Sequence, residues 1–303
     1  MIPRRLVDLW IGANAPKDPL EAEPETGLAG AVVVTGGSRG IGLEIARLFA
    51  AGGHHVVLVA RGAAGLEAAQ AELRAQSRSH SVRTVALDIT APDAPEQLSD
   101  WLAREGLFCD ILVNNAGFGI AGPFHNLDQD RIDGLLRLNI EALTRLTRAM
   151  LPDMLRRRRG GVINIGSVAG LVPAGYQAPY YASKAYVVSL SEGLSWEVRG
   201  RGVRICCAAP GPVNTGFHAD MDAESAFYRQ VPMSLSPARV ARAAYRGYWS
   251  GRTLVVIGIE FAILNQILRL VPRKIVTAST SILVKPRSRP TDDRRPSNSD
   301  GKS

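Results

Sequence analysis

From residue 29 onward, short and wholly apolar runs alternate with longer amphipathic stretches. AGAVVVTG (29–36), HHVVLVAR (54–61), SVRTVALDIT (81–90), DILVNNAG (110–117), GGVINIGS (160–167), VRICCAAPG (203–211) and RTLVVIG (252–258) read as strands. Between them, GIGLEIARLFAAGG (40–53), residues 63–76, residues 93–105 and the periodicity through 128–158 read as helices. Pro179 suits the first turn of a further helix. Strands that do not alternate apolar with polar are buried on both faces, so the pattern predicts an α/β protein with a doubly wound parallel sheet over residues 29–258.

Outside that span the pattern changes. Residues 1–28 read as an irregular leader, and 286–303 as a disordered basic tail. IEFAILNQILRLV (259–271) and IVTASTSILV (275–284) predict an amphipathic C-terminal extension over 259–285. Its apolar face fits docking on the chain's own domain or on a partner subunit. The second reading is peripheral membrane contact through 259–284, with Arg269, Arg273 and Lys274 near lipid head groups.

Composition narrows the class without naming a function. Apolar residues make up 46% of the chain and charged residues 21%, ordinary for a protein with a substantial core. No apolar run reaches about 18 residues, so no spanning helix is predicted, and Asp8 interrupts the one brief apolar stretch that resembles a signal peptide. Three cysteines, two of them adjacent at 206 and 207, form neither a disulfide framework nor a zinc pattern and suggest a reducing, cytoplasmic compartment. His54, His55, His80, His125 and His218 lack ligand spacing, so no metal is expected. The net charge of +8 does not predict nucleic-acid binding. RRRR (156–159) closes a helix, where cations suit the dipole, and the remaining basic clusters have no interleaved aromatic residues.

The chemistry begins at TGGSRGIG (35–42), which joins the first strand to its helix. Glycines there allow positive φ and close approach of backbone amides to a pyrophosphate, which the helix N-terminus then faces. The spacing is T-G-x-x-x-G-x-G, carried by Thr35, Gly36, Gly40 and Gly42. Further motifs follow in order: NNAG (114–117), Asn139, Ser167, Tyr180-x-x-x-Lys184 and PGPVNT (210–215). In these motifs the chain resembles the short-chain dehydrogenase/reductase family, a single-domain Rossmann fold.

That resemblance implies a nicotinamide dinucleotide bound by Thr35, Gly36, Ser38, Arg39, Gly40, Ile41, Gly42, Arg61, Asp88, Ile89, Asn115, Ala116, Gly117, Tyr180, Lys184, Pro210, Gly211, Val213 and Thr215. Which dinucleotide follows from the end of the second strand. An NAD site needs a carboxylate there for the ribose 2′-OH, but the chain has Ala60 and Arg61. Guanidinium binds a 2′-phosphate through paired charge-assisted bonds, and Arg39 in the glycine loop can approach the same group, so NADP(H) is predicted.

The resemblance also implies a catalytic tetrad. Tyr180 is the acid/base, and Lys184 lowers its pKa and bonds the nicotinamide ribose. Ser167 donates to the substrate oxygen, and Asn139 holds a water beside Lys184. Bringing a phenol from about 10 to about 7 takes roughly 4 kcal/mol, which a neighbouring ammonium and the oxidised nicotinamide together supply. Helical spacing alone leaves Tyr180 and Tyr181 tied; the separation from Ser167 favours Tyr180, with Tyr181 and Tyr186 as packing groups.

Loops 118–127, 168–177 and 217–233 are expected around the carbonyl, the last as a lid. Phe118, Ile120, Leu171, Val172, Tyr176, Phe217, Met221 and Phe227 make them apolar, and no Arg or Lys stands ready for a carboxylate beside the carbonyl. The reading is an NADPH-dependent reductase of an apolar or amphipathic ketone or aldehyde. An oxidative alcohol dehydrogenase and a non-catalytic NADPH sensor are the alternatives. By the resemblance, the chain also forms a homo-dimer or homo-tetramer through the helices after the fourth and fifth strands.

Overall fold

A computed structural model describes residues 27–76, 81–214, 234–268 and 270–285. The expected leader up to residue 26, His80, Thr215, the lid segment 217–233, Arg269 and the tail 286–303 lie outside the described residues. Strands β1 (Ala29–Thr35), β2 (His55–Ala60), β3 (Val82–Ala86), β4 (Leu107–Asn114), β5 (Gly161–Ile165), β6 (Arg204–Pro210) and β7 (Leu254–Ile257) form one sheet in the order β3-β2-β1-β4-β5-β6-β7. Every neighbouring pair is parallel. The order reverses between β1 and β4, which creates the crevice where doubly wound sheets bind ligands.

Helices α1 (Gly40–Ala51), α2 (Ala63–Gln76), α3 (Ala94–Arg104), α4 (Gln129–Leu136), α5 (Leu143–Arg157), α6 (Ala178–Glu197) and α7 (Pro237–Trp249) link or cover the strands. The period of 2 along each strand sorts its side chains between two cores. Val32, Val34, Val56 and Leu58 meet Ile45, Phe49, Leu66, Val240 and Tyr248 on one face. Ala31, Val33, Val57 and Val59 meet Leu98, Leu102, Leu146 and Met150 on the other. Full burial of each such Val, Leu, Ile, Phe or Met is worth about 1.5–3 kcal/mol, which is why the apolar runs settle as central strands.

Two elements differ from the sequence reading. Strand β4 begins at Leu107 rather than at Asp110, because Asp110 is buried inside it opposite a register shift between Ala31 and Val32. A carboxylate survives there through Arg159, whose Nε donates to Asp110 Oδ1 at 3.0 Å. Helix α7 is not among the elements that the apolar pattern predicts, yet Ser236-Pro237 is a start signal. Ser236 Oγ accepts from Arg239 N–H at 3.2 Å, and Val240, Ala241, Ala244 and Tyr248 form its buried stripe.

The four arginines at 156–159 are absorbed locally. Arg156 and Arg157 both donate to the Asp153 carboxylate, Arg159 to Asp110, and Arg158 turns the chain at φ 51° and bonds the Gly200 carbonyl. Cys109, Cys206 and Cys207 are buried free thiols, the last two on β6. The long 128–158 periodicity is interrupted by a π-helical segment, Arg137–Ala142, between α4 and α5. Past β7, α8 (Ile259–Leu268) and α9 (Arg273–Val284) make up the C-terminal extension.

Candidate active site

The C-terminal ends of β1, β2, β4, β5 and β6 open into one cleft of about 1080 Å³. At the β1 end, Gly36 and Gly40 take φ of 62° and 61°, a region that other residues enter at a cost. Gly36, Ser38, Arg39, Gly40 and Ile41 line the cleft. Thr35 and Gly42 stand one layer behind. Thr35 Oγ1 donates to the Val113 carbonyl and accepts from the Asn115 and Ala116 amides, tying β1 to the end of β4. A Cβ on Gly42 would stand 2.5 Å from both Asn115 Nδ2 and the Gly36 oxygen. Asn115 Nδ2 also bonds the Thr35 and Gly36 carbonyls, so this asparagine shapes the glycine loop as well as lining the cleft.

Beside the loop, exposed Arg39 and Arg61 reach the same end of the cleft as Ala60 and Gly62. Asp88 and Ile89 border it from beyond β3. The Asp88 carboxylate accepts from Thr90 N–H and Oγ–H, and these bonds, with the charge of Arg61, hold it below the usual carboxylate range. This end offers backbone amides and two guanidinium groups with no acid on the β2 terminus, which fits a 2′-phosphorylated dinucleotide.

The other end gathers Ala116, Gly117, Ser167, Tyr180, Lys184, Pro210, Gly211 and Val213 on its walls. Helix α6 carries both Tyr180 and Lys184 on its buried side, together with Ser183, Val187 and Ser191. Polar ties hold it against the sheet: Ser191 Oγ–H donates to the Val187 carbonyl and accepts from Asn164 Nδ2, which belongs to a buried chain running on to Asn114 and Thr147. Lys184 Nζ donates to the Ile165 carbonyl at 2.9 Å and lies 5.9 Å from the centre of the Tyr180 ring. Burial lowers the Lys184 pKa to about 8. Ser167 stands two residues past the end of β5 with an extended backbone, its Oγ accepting from Ala169 N–H at 3.1 Å.

Asn139 lies off the cleft wall, in the π-helical segment. Its amide holds both backbone groups of Phe118, and Nδ2 reaches Ser183 Oγ at 3.1 Å. A Cβ on Gly117 would meet Asn139 Oδ1 at 3.0 Å and Lys184 Nζ at 3.7 Å, so these two groups flank the same glycine. Tyr181, expected only to pack, also lines the cleft, its ring edge-on to that of Tyr180 with centroids 6.2 Å apart. Tyr186 is turned away and bonds Thr144 Oγ1.

The substrate side combines expected and unexpected walls. Phe118, Leu171 and Val172 line it, whereas Ile120 is buried beneath Tyr180, and Tyr176 stands at φ 60° with its ring under Lys285. Arg131 and Arg137 join the lining from the α4 region, cations that the loop composition does not predict there. Phe261, Leu264, Asn265 and Leu268 of α8, with Thr280, Leu283 and Val284 of α9, close a further side. Phe261 packs so tightly on Gly211 that a Cβ there would stand 2.2 Å from its ring. Helix α9 holds the loop before α6: Thr280 Oγ1 donates to the Pro173 carbonyl at 2.5 Å, and Ser281 Oγ accepts from Gly175 N–H at 2.7 Å. Among the described residues, no group of His, Cys, Asp and Glu side chains is arranged to hold a metal.

Comparison with known proteins identifies the family and accords with the fold. A sequence profile described as short chain dehydrogenase matches residues 30–226. A 3-oxoacyl-(acyl-carrier-protein) reductase of Vibrio cholerae is 32% identical over 236 residues, covering 75% of this chain and 95% of the relative. A 3-ketodihydrosphingosine reductase of Bacteroides thetaiotaomicron is 31% identical over 186 residues, covering 61% and 65%. Among solved structures, a short-chain dehydrogenase from Sphingobium yanoikuyae in complex with NADPH superposes with a TM-score of 0.70 at 31% identity, covering 79% of this chain and 92% of the other.

Proposed function

Because the chain belongs to the short-chain dehydrogenase/reductase family of oxidoreductases, we propose that it is an NADPH-dependent carbonyl reductase acting on an apolar or amphipathic ketone or aldehyde. One observation carries the reading: Tyr180 and Lys184 share the buried face of α6 and both line the cleft, with Ser167 on the same wall. A phenol, an ammonium and a hydroxyl around one space are what protonating a carbonyl oxygen requires. The structural neighbour whose complex contains NADPH, together with Arg39 and Arg61, supports the choice of cofactor.

Gly36, Ser38, Arg39, Gly40 and Ile41 would hold the pyrophosphate end, Arg39 and Arg61 the 2′-phosphate, and Asp88 and Ile89 the adenine side. Asn115, Ala116, Gly117, Pro210, Gly211 and Val213 would floor the nicotinamide. When bound, NADPH supplies the hydride that adds to the carbonyl carbon. Tyr180 gives its phenolic proton to the carbonyl oxygen, so that C=O becomes CH–OH and the phenol becomes phenolate. Ser167 Oγ–H donates to the same oxygen as negative charge gathers on it. The Lys184 ammonium stabilises the phenolate, and Asn139, which flanks Gly117 together with that lysine, would hold a water beside it for proton transfer.

The substrate class rests on the walls. Phe118, Leu171, Val172, Phe261, Leu264 and Leu268 suit an aliphatic or polycyclic body, and Arg131 and Arg137 suit a polar or anionic end. By their names, the two reductases described above act on a 3-oxoacyl group carried by a protein and on 3-ketodihydrosphingosine, both 3-keto compounds. We place the protein in a reducing compartment, the cytoplasm, where its three free cysteines fit. We also read it as a homo-oligomer, because exposed Leu136, Tyr186 and Trp196 leave apolar side chains on the helices after β4 and β5. The test is NADPH oxidation against a panel of ketones, aldehydes and 3-oxoacyl thioesters. Turnover of an apolar member that Tyr180→Phe abolishes, with NADPH binding retained, supports the reading. NADPH binding with no turnover across the panel would instead mark a sensor.

A further inference from the structure

Eight of the twelve large apolar side chains exposed among the described residues fall between Ile259 and Leu283. Ile259, Ile263, Ile267, Leu270, Ile275 and Ile282 are each more than half exposed. On α8, Ile259, Ile263 and Ile267 recur every fourth residue along one face, while Phe261, Leu264 and Leu268 turn towards the cleft. The helix is therefore apolar on two sides, and no residue of it is buried. An apolar helix side belongs in an apolar surrounding, and the rest of the described chain covers only the side that faces the cleft.

We propose that α8 and α9 lie in the surface of an anionic lipid bilayer, with this face as the docking surface. Neither helix can span a bilayer: α8 has 10 residues and α9 has 12, against about 20 needed. Each carries an exposed apolar stripe, as helices that lie in the interface plane do.

Charge selects the occupant. Residues 259–285 carry Arg269, Arg273, Lys274 and Lys285 against the single acid Glu260, and residues 286–303 add five cations against three aspartates. Arg273 and Lys274 open α9 and Lys285 follows it, all three exposed beside the apolar stripe. A second copy docked through this same face would bring four cations from each side together, with Glu260 as the one acid of each extension to pair them. Anionic head groups neutralise them instead. The patch also reaches the cleft: Leu264 and Leu283 line it while remaining 46% and 43% exposed. An apolar substrate dissolved in the bilayer could therefore enter beside α8 and α9 without crossing water, a consequence that rests on the carbonyl-reductase reading as the docking itself does not.

Co-sedimentation of the full chain with vesicles tests it. The expected result is recovery with equal parts phosphatidylglycerol and phosphatidylcholine, and at least tenfold less with phosphatidylcholine alone. Ile263→Asp/Ile267→Asp, which alters neither cleft wall, should lose vesicle binding while keeping its melting temperature and NADPH-induced stabilisation. Arg273→Glu/Lys274→Glu should lose the preference for anionic lipid. The proposal is overturned by a native chain that stays in the supernatant, by equal binding to both vesicle types, or by an Ile263→Asp/Ile267→Asp variant that still sediments. If the native chain ignores vesicles and that double variant has a smaller mass by light scattering, the face belongs to a second copy. The readout is binding rather than turnover, so failure here leaves the proposed reaction standing.

Discussion

At the scale of single residues, Lys184 states the site's cost most plainly. Its ammonium is buried, with the Ile165 carbonyl as its recorded hydrogen-bond partner, and its pKa falls from the ordinary 10.5 to about 8. A folded pKa below the unfolded one means that folding disfavours the proton. The penalty is full below about pH 8 and fades as pH rises towards 10.5. It amounts to roughly 3 kcal/mol at 1.36 per unit, less what the hydrogen bond returns. Lys184→Met should therefore abolish turnover yet melt at or above the native temperature at pH 7, with the difference shrinking near pH 10. Thermal melts at the two pH values check this. In the native enzyme, kcat/KM for reduction should fall as pH passes about 8 and the ammonium is lost, which a pH–rate profile in the reductive direction reads directly.

Local spacing made a tyrosine one turn from Lys184 and the glycine loop legible in the sequence, because each is a short-range pattern with a chemical reason. It leaves Tyr180 and Tyr181 tied, and only the separation from Ser167 favours Tyr180. Spacing does not reveal which layer a residue occupies. Thr35, Gly42 and Asn139 carry motif positions, yet they stand behind the wall, where Thr35 ties two strands, Gly42 admits Asn115, and Asn139 braces Phe118 and Ser183. Their contacts lie 21 to 81 residues away along the chain, beyond any local pattern.

At the scale of elements, α8 and α9 were readable as helices from their apolar spacing, but their place over the cleft was not. Docking depends on single long-range contacts, such as Phe261 on Gly211 and Thr280 on Pro173. Those contacts set the extension against the reaction end of the cleft, at Gly211 and the loop before α6, and away from the glycine loop. Thr280→Ala/Ser281→Ala removes both bonds to the loop before α6, each worth about 0.5–1.5 kcal/mol. The double variant should raise KM for a bulky ketone several-fold, with NADPH affinity within twofold of native; steady-state kinetics beside a binding titration separate the two. Phe261→Ala should act in the opposite sense, enlarging the cleft and favouring larger substrates in the same panel. Strand β4 shows the converse problem. A buried Asp110 reads in sequence as a boundary, and only Arg159, 49 residues on, explains why the strand runs through it.

At the scale of the whole molecule, the sheet order places the nucleotide half, β1 to β3, and the reaction half, β4 to β6, on either side of one crevice. A dinucleotide spanning that crevice would touch the glycine loop at one end and the α6 wall at the other. It would bind the folded state alone, and mass action then stabilises that state by about 2.7 kcal/mol at a hundredfold excess over Kd. For a domain of this size, that corresponds to a rise in melting temperature of roughly 5–10 °C. NADPH should produce this rise, and NADH at the same concentration a much smaller one, because Arg39 and Arg61 have no 2′-phosphate to meet. Arg61→Asp replaces a guanidinium by a carboxylate that repels the phosphate and can bond a ribose hydroxyl, so the two shifts should draw together or exchange rank. Since Arg61 is exposed, the variant should melt close to the native protein without nucleotide. A preference for NADPH unchanged in Arg61→Asp would remove the charge argument for the cofactor while leaving the fold and the Tyr180–Lys184 arrangement intact.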